Sequence, residues 1–444
     1  MTEHLSRRSF LTGLTAFGVP GGGARGRAVP DLSLLPFLAR PTSTSLLVNA
    51  RNGSSDATAR LIARPVGYPE WAAVGADRAV PVGDFVTWRI DGLEAATAYD
   101  YQILLATPGE DPTTAVAAGN FTTQRVGEVG FTAALTTDAH TGSFPEGTFP
   151  VAILDDVVRN VAADRPDFMI ALGDNVAWYT SREQAQPNDR GARFAYDMYR
   201  RHLGPLSPSC PHFGLIGNWE GESGKFPDES QKLVAAVRRQ FTPNPDHRTY
   251  QQGGSPNEDY FAFDWGPVLF VALNVQTYSE PAGPLAGPLG DVTRIEDWTL
   301  GREQMSWLER VFAGSDHPFK FVCIHHVVGG NAGNGFETLY GRGGPRAARV
   351  GEQAVLHEMM REFGVQIFFF GHDHVFLDEV VDGIHYAMPG SCGAPWKFGP
   401  EITGYRNYWP DSGHGRLTVR PDLATVEFVS QQGTIFHRFT VEPA

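Results

Sequence analysis

The sequence predicts an α/β chain preceded by an all-β sandwich, and three observations carry that prediction. From Val126 onward, apolar β-rich runs alternate with amphipathic helical patterns, as in βαβ units. Five short polar clusters each follow such a run: Asp138-Ala-His140 after FTAALTT, Gly173-Asp174-Asn175 after DFMIAL, Gly217-Asn218-Trp219-Glu220 after HFGLI, His325-His326 after FKFVCI, and Gly371-His372-Asp373-His374 after VQIFFF. Residues 41–124, by contrast, hold only short strand patterns separated by Gly, Pro, Asp and Ser turns. The C-terminal ends of strands are where open α/β sheets bind ligands, so the five clusters point to one site.

At the N-terminus, Ser6-Arg7-Arg8-Ser9-Phe10-Leu11-Thr12 sets paired arginines directly before Phe-Leu, followed by a modest apolar stretch (LTGLTAFGVP) and a Gly/Ala/Arg-rich segment. This resembles a twin-arginine signal, residues 1–28, with cleavage expected near Ala28. It implies the Tat export machinery as a partner, folding before export, and a periplasmic or secreted destination. Residues 29–40 read as a linker. Over 41–124, the runs TSLLVNAR, TARLIAR, FVTWRIDGL, YDYQILLA and AGNFTT argue for a β-sandwich. Within it, Leu93, Thr97 and Tyr99 resemble the Leu-x-x-x-Thr-x-Tyr corner of fibronectin type III modules. No site is read in this domain.

Residues 126–444 form the second domain. VAILDDVVRNVAADRP predicts a helix between two strands, and REQMSWLERVFAG and EQAVLHEMMREFG predict helices that each lead into a histidine-bearing strand. Two long connections, about 176–211 and 221–258, hold the helical pieces RGARFAYDMYRRHLG and ESQKLVAAVRRQF; insertions of that length beside a site shape access to it. The tail (GRLTVRP, TVEFVS, TIFHRFTV) reads as strands that extend or cover a sheet.

Composition excludes several function classes. The 444 residues carry a formal charge of −14, against a nucleic-acid backbone as general partner, because counterion release needs clustered Lys and Arg. Hydrophobic content is 42%, yet no run approaches the ~18 apolar residues of a membrane span. The three cysteines, Cys210, Cys323 and Cys392, do not suffice for a disulfide framework in a chain of this length.

The five clusters together supply the carboxylates Asp138 and Asp174, the amide oxygen of Asn218, and the imidazoles of His140, His325, His326, His372 and His374. That is a donor set for two divalent cations sharing a bridging carboxylate. Asp138 and His140, like His372 and His374, are two residues apart and can point the same way at a strand end. Asn218 contributes a neutral oxygen that limits negative charge, and glycines before Asp174, Asn218 and His372 permit close backbone approach.

The motifs DxH, GDN, GN-x-E, a strand-ending His and GHDH, in that order, resemble those of the calcineurin-like metallophosphoesterases, from about Phe131 to the last strand. Purple acid phosphatases and PhoD-type alkaline phosphatases are similar in architecture. The resemblance implies a two-sheet αββα sandwich with the metals at the strand ends. It assigns Asp138, His140, Asp174 and His374 to the first ion and Asp174, Asn218, His325 and His372 to the second, the ions being Mn, Zn or Fe. The implied reaction is hydrolysis of a small-molecule phosphate ester by metal-held hydroxide, with Asp174 bridging, Asn218 stabilising developing charge and His326 meeting substrate or solvent. A phosphomonoester is the expected substrate.

Two departures from the family pattern matter. Ala177 stands where purple acid phosphatases place their iron-bound tyrosine, and His140 is present where that branch has none, so tyrosinate–iron chemistry is not expected. Trp219 replaces the motif histidine that protonates the leaving oxygen, a contribution commonly worth 10²–10⁴-fold. Either His326, His202 or His212 supplies the proton, or the substrate is an aryl ester, a diester of an acidic alcohol or an anhydride that needs none. Trp219 with Trp178, Tyr179 and Trp396 either lines an aromatic mouth for substrate or packs in the wall. A non-catalytic binding protein is the remaining alternative.

Overall fold

Strand alternation in two facing sheets places the aromatic side chains of this chain at its centre. A computed structural model describes residues 34–53, 55–142, 151–177, 189–222, 228–275, 277–278, 298–325, 352–395, 405 and 407–444. One sheet has six strands in the order His212–Gly214, Phe168–Ala171, Phe131–Thr136, Gly413–Arg420, Leu423–Ser430 and Ile435–Val441. Its first three strands are parallel and the rest antiparallel. The other has seven, in the order Phe261–Trp265, Val268–Ala272, Phe319–Cys323, Ile367–Phe369, Ile384–Pro389, Phe376–Val381 and Tyr408–Trp409.

Phe131, Phe168, Phe213, Phe263, Phe270, Phe321, Phe369 and Phe428 come from both sheets and meet in one buried core. Phe213 stacks on Phe263 with centroids 4.1 Å apart. Each such ring, fully buried, contributes roughly 1.5–3 kcal/mol. Helices cover both outer faces. On the six-stranded side, α1 (Val151–Asp164), α2 (Asp189–His202) and α3 (Asp228–Phe241) bury Val157, Val161, Tyr196, Tyr199, Val234 and Val237 against Ala134 and Met169. On the seven-stranded side, α4 (Gly301–Ala313) and α5 (Glu352–Glu362) bury Trp307, Leu308, Phe312, Leu356 and Met360 against Val322 and Phe368. The result is the expected helix–sheet–sheet–helix sandwich, and the five helices among the described residues follow the expected amphipathic segments.

The N-terminal region forms two further sheets, Leu35–Ala39 with Ser45–Arg51 and Phe85–Asp91, and Ala72–Ala73, Ala57–Pro65, Ala98–Ala106 and Thr114–Thr122, with Arg78–Val80 pairing on Ala57–Pro65. Their facing residues, including Trp88, Tyr101, Leu61 and Val48, build a separate core. The expected linker 29–40 is corrected here: Leu35–Ala39 is a strand, paired antiparallel with Ser45–Arg51 and buried along LPFLA. Pro36 within it and Pro41 just after it disguise it in sequence, while its apolar side chains pack too deeply for a spacer. The residues from Leu32 to Ala444 belong to one compact unit. Buried Arg200 of α2 joins the regions, donating to Leu35 O (2.7 Å), Asn49 O (3.1 Å) and Phe241 O (2.8 Å). The signal, residues 1–28, lies outside the described residues, and among those described no helix is long and apolar enough to cross a membrane.

Candidate metal centre

The polar clusters leave the two sheets at one seam. Phe168, Ile170 and Leu172 face the inter-sheet core, and Asp174 is next in that alternating series; Phe319, Phe321 and Cys323 lead in the same way to His325. The backbone then turns sharply. Asp138 (φ 57°), His140 (49°), Asp174 (52°), His372 (79°) and His374 (57°) all adopt left-handed conformations. They are five of the ten non-glycine described residues with positive φ, a concentration typical of strain held at a functional site. Main-chain bonds hold these turns: Asp138 N–H donates to Gly173 O (3.0 Å), His140 N–H to Asp174 O (2.9 Å), Gly371 N–H to His325 O (2.7 Å) and Ala394 N–H to Asp138 O (2.9 Å).

Two glycines allow the turns to close on one another. A Cβ at Gly217 would stand 2.8 Å from His325 Cδ2 and overlap the Asp174 carboxylate, and one at Gly371 would overlap Thr137 Oγ1.

Six of the seven expected ligands form two donor groups, Asp138, His140 and His374, and Asp174, His325 and His372. Asp138 Oδ1 lies 3.3 Å from His374 Nε2 and 3.5 Å from His140 Nε2. Asp174 Oδ2 lies 3.1 Å from His325 Nε2 and 3.6 Å from His140 Nε2, so one carboxylate oxygen faces an imidazole of each group. Donors bonded to a common ion at ~2.1 Å stand about 3.0–3.4 Å apart in octahedral or tetrahedral arrangements. The 3.3 Å and 3.1 Å separations fall within that spacing, and the two to His140, 3.5 Å and 3.6 Å, lie just above it. Asp138 Oδ1, on a fully buried residue, has no hydrogen-bond partner among the described residues, as an oxygen reserved for a cation would. Asn218, 7% exposed, follows Gly217 in the turn beside this cluster.

The remaining atoms of these candidate donor residues are held from behind. Asp138 Oδ2 accepts from Thr137 Oγ1 (2.7 Å) and His372 N–H (2.9 Å), and Asp174 Oδ1 accepts from Trp219 N–H (2.7 Å). His325 Nδ1 donates to Leu172 O (2.9 Å) and His374 Nδ1 to Pro395 O (3.3 Å), which turns each Nε2 toward the centre. Glu220, given no role from sequence, is fully buried and accepts N–H bonds from Gly217 (2.7 Å), Asn175 (2.7 Å) and Asp174 (3.1 Å). It clamps the Asp174 and Asn218 turns together. Its place at the end of GN-x-E was the available signal.

Charge in the cluster is strongly coupled. Burial works to raise the Asp138 carboxyl, but His374, His140 and His325 outweigh it and hold it well below the ordinary range. Burial lowers His140 against the opposing pull of Asp138 and Asp174. Burial also works against charge on His325, yet Asp174, Asp138 and Glu220 push it up to about 9. Burial, then the Asp174 charge, pushes Glu220 upward.

Trp219 is 9% exposed and packs with Ala177 and Ala394, its ring edge-on to His140 at 5.4 Å. His212 is buried in its strand, bonded to Tyr199 Oη at 2.9 Å, and burial lowers it to about 3, so it stays neutral. His202 Nδ1 lies 2.6 Å from Asp155 Oδ1. His326, Trp178, Tyr179 and Trp396 lie outside the described residues.

The calcineurin-like phosphoesterase family profile matches residues 131–376, which span all five clusters. The chain belongs to the calcineurin-like phosphoesterases. Two solved structures share the fold of this phosphoesterase. A purple acid phosphatase from yellow lupin (Lupinus luteus) seeds aligns with a TM-score of 0.67 at 16% identity, over 92% of this chain and 74% of that one. PhoD aligns with a TM-score of 0.67 at 14% identity, over 94% and 92%. No curated protein sequence matches this phosphoesterase at a significant level.

Proposed function

We propose that this phosphoesterase is an exported hydrolase of small phosphomonoesters that holds two divalent ions of the Mn, Zn or Fe class. The observation that carries this reading is the Asp174 Oδ2 atom, set 3.1 Å from His325 Nε2 and 3.6 Å from His140 Nε2, between two three-residue donor groups. Asp138, His140, Asp174 and His374 would hold one ion and Asp174, Asn218, His325 and His372 the other. Bound there, the ions would supply an activated water and neutralise charge on the phosphoryl oxygens.

The chain's own residues do the positioning. Leu172 O and Pro395 O fix the tautomers of His325 and His374, and Trp219 N–H steadies Asp174. Asn218 is assigned to the phosphoryl group, its amide opposing charge that builds in the transition state. His326 is assigned to protonate the leaving oxygen, and Trp178, Tyr179 and Trp219 to border the substrate. The N-terminal sheets, 41–124, are assigned to a fibronectin type III-like domain ahead of the catalytic domain 126–444. Support comes from the Leu93, Thr97, Tyr99 corner, where Tyr99 Oη accepts from Glu94 N–H at 2.9 Å.

One observation favours a second reading. Trp219 occupies the motif-histidine position against His140, which leaves that position without a proton donor. A diester with an acidic leaving alcohol would not need one. Turnover of p-nitrophenyl phosphate and bis-p-nitrophenyl phosphate by Mn²⁺-loaded protein separates the readings: a monoester preference supports the first and a diester preference the second. No turnover of either with Mn²⁺, Zn²⁺ or Fe²⁺ would favour a binding protein, a role that gives no reason for a complete donor set. Export rests on residues 1–28; full-length protein in the cytosol with that segment intact would refute it.

A further inference from the structure

The strand that delivers Asn218 is an edge. His212–Gly214 is the outermost strand of the six-stranded sheet and pairs on one side with Phe168–Ala171. An edge strand presents N–H and C=O groups that no neighbouring strand satisfies. Here the Asn244 side chain takes the place of a neighbouring strand. Its Oδ1 accepts from Gly214 N–H at 2.9 Å, and its Nδ2 donates to Gly214 O. Asn244 is buried at 1% exposure, and its own backbone is pinned from two sides. Its N–H donates to Glu258 Oε2 at 2.9 Å, and its carbonyl accepts from Arg40 Nε at 2.6 Å.

Arg40 closes the arrangement. It sits just past the N-terminal strand Leu35–Ala39 and pairs through Nη2 with Glu258 Oε1 at 2.7 Å and through Nη1 with Asp246 Oδ2 at 3.5 Å. One guanidinium from the N-terminal sheets therefore holds both the carboxylate and the carbonyl that fix Asn244. From Gly214 the chain runs only three residues to Gly217. On the way, Leu215 bonds through its N–H to Ala171 O (2.7 Å) and through its O to Asn175 Nδ2 (3.1 Å). Leu215 thereby ties the edge strand to the Asp174 turn, and Gly217 lies so close to that turn that an added Cβ would stand 2.6 Å from Asp174 N and 2.8 Å from His325 Cδ2. A site of this kind tolerates displacements of only about 0.5 Å.

We propose that Arg40 is a positioning residue for the metal centre, acting through Glu258 and Asn244 on the edge strand that presents Asn218. The N-terminal sheets then set the affinity of a site to which they contribute no ligand. The proposal rests on the reading of the clusters as a metal site.

The test is isothermal titration of the metal-free full chain with Mn²⁺, at a temperature where every variant is folded. Arg40→Met and Glu258→Gln are expected to weaken Mn²⁺ binding about tenfold, the scale of lost outer-shell support. Arg51→Met is the control. It breaks another ion pair between the N-terminal sheets and α2, Arg51 to Asp197 at 2.6 Å, off the path to Gly214, and should change the affinity less than twofold. An unchanged affinity in Arg40→Met, or an equal loss in Arg51→Met, overturns the proposal. Should Arg40→Met fail to fold, Glu258→Gln decides by the same comparison. Wild-type protein that takes up no Mn²⁺ overturns the reading of the site together with the proposal; normal wild-type uptake with unaffected variants overturns the proposal alone.

Discussion

Gly217→Ala adds one methyl group at a crowded point of the candidate metal centre. Its Cβ would lie 2.6 Å from Asp174 N and 2.8 Å from His325 Cδ2. Carbon atoms rest at about 3.5–4.0 Å, so the His325 ring would have to recede by about 0.7 Å, with the Asp174 turn displaced as well. Overpacking of this kind costs ~1–3 kcal/mol of stability. The functional loss should be larger in proportion, since a misplacement near 1 Å costs about 10²-fold in rate. The expected result is a fall in kcat/KM of about 10²-fold for p-nitrophenyl phosphate at saturating Mn²⁺, with a melting temperature lowered by only a few degrees. The assay pairs steady-state kinetics with thermal melts of the metal-free protein. A kcat/KM within threefold of wild type would show that the two turns yield easily, and the argument from close approach would fail.

Glu220→Gln replaces one carboxylate oxygen by an NH₂ group that must face a backbone N–H; Mn²⁺ affinity should fall about tenfold or more by equilibrium dialysis, and an unchanged value would deny the clamp a role. Trp219→His restores an imidazole at the motif position and should raise the ratio of monoester to diester turnover at least tenfold; a constant ratio would show that Trp219 does not set preference. His212 is held neutral in the fold at about 3, against 6.5 in the unfolded chain, so the unfolded state binds the extra proton as pH falls. Its contribution is fully present above pH 6.5 and declines toward pH 3, with ~3 kcal/mol lost by pH 4. Urea unfolding at pH 7 and pH 4 should show that loss in wild type and not in His212→Gln, and equal losses would refute it.

The parts of this molecule legible in sequence are those governed by short-range periodicity. FTAALTT, DFMIAL, HFGLI, FKFVCI and VQIFFF became the strands that carry the clusters, because a strand buried on both faces shows itself as an unbroken apolar run. The amphipathic segments became helices for the same reason. Two kinds of information were out of reach. The strand Leu35–Ala39 is short and contains Pro36, and only its partner Ser45–Arg51 makes it a strand. Glu220 and Asn244 act by bonding to main-chain groups of other segments: the GN-x-E spacing marks Glu220 but not its partners Asp174 and Asn175, and nothing in the spacing links Asn244 to Gly214, 30 positions away.

The left-handed turns limit which side chains this centre can use. Asp138, His140, Asp174, His372 and His374 must satisfy a backbone rule as well as a bonding one. Asp, Asn and His are the non-glycine residues most at home at positive φ, and Asp and His are also donors for divalent ions. Glutamate or cysteine would bring an adequate donor atom to these positions on a backbone that disfavours it. A variant library at the five sites should therefore retain metal only with Asp, Asn or His, a narrower alphabet than coordination chemistry alone would allow.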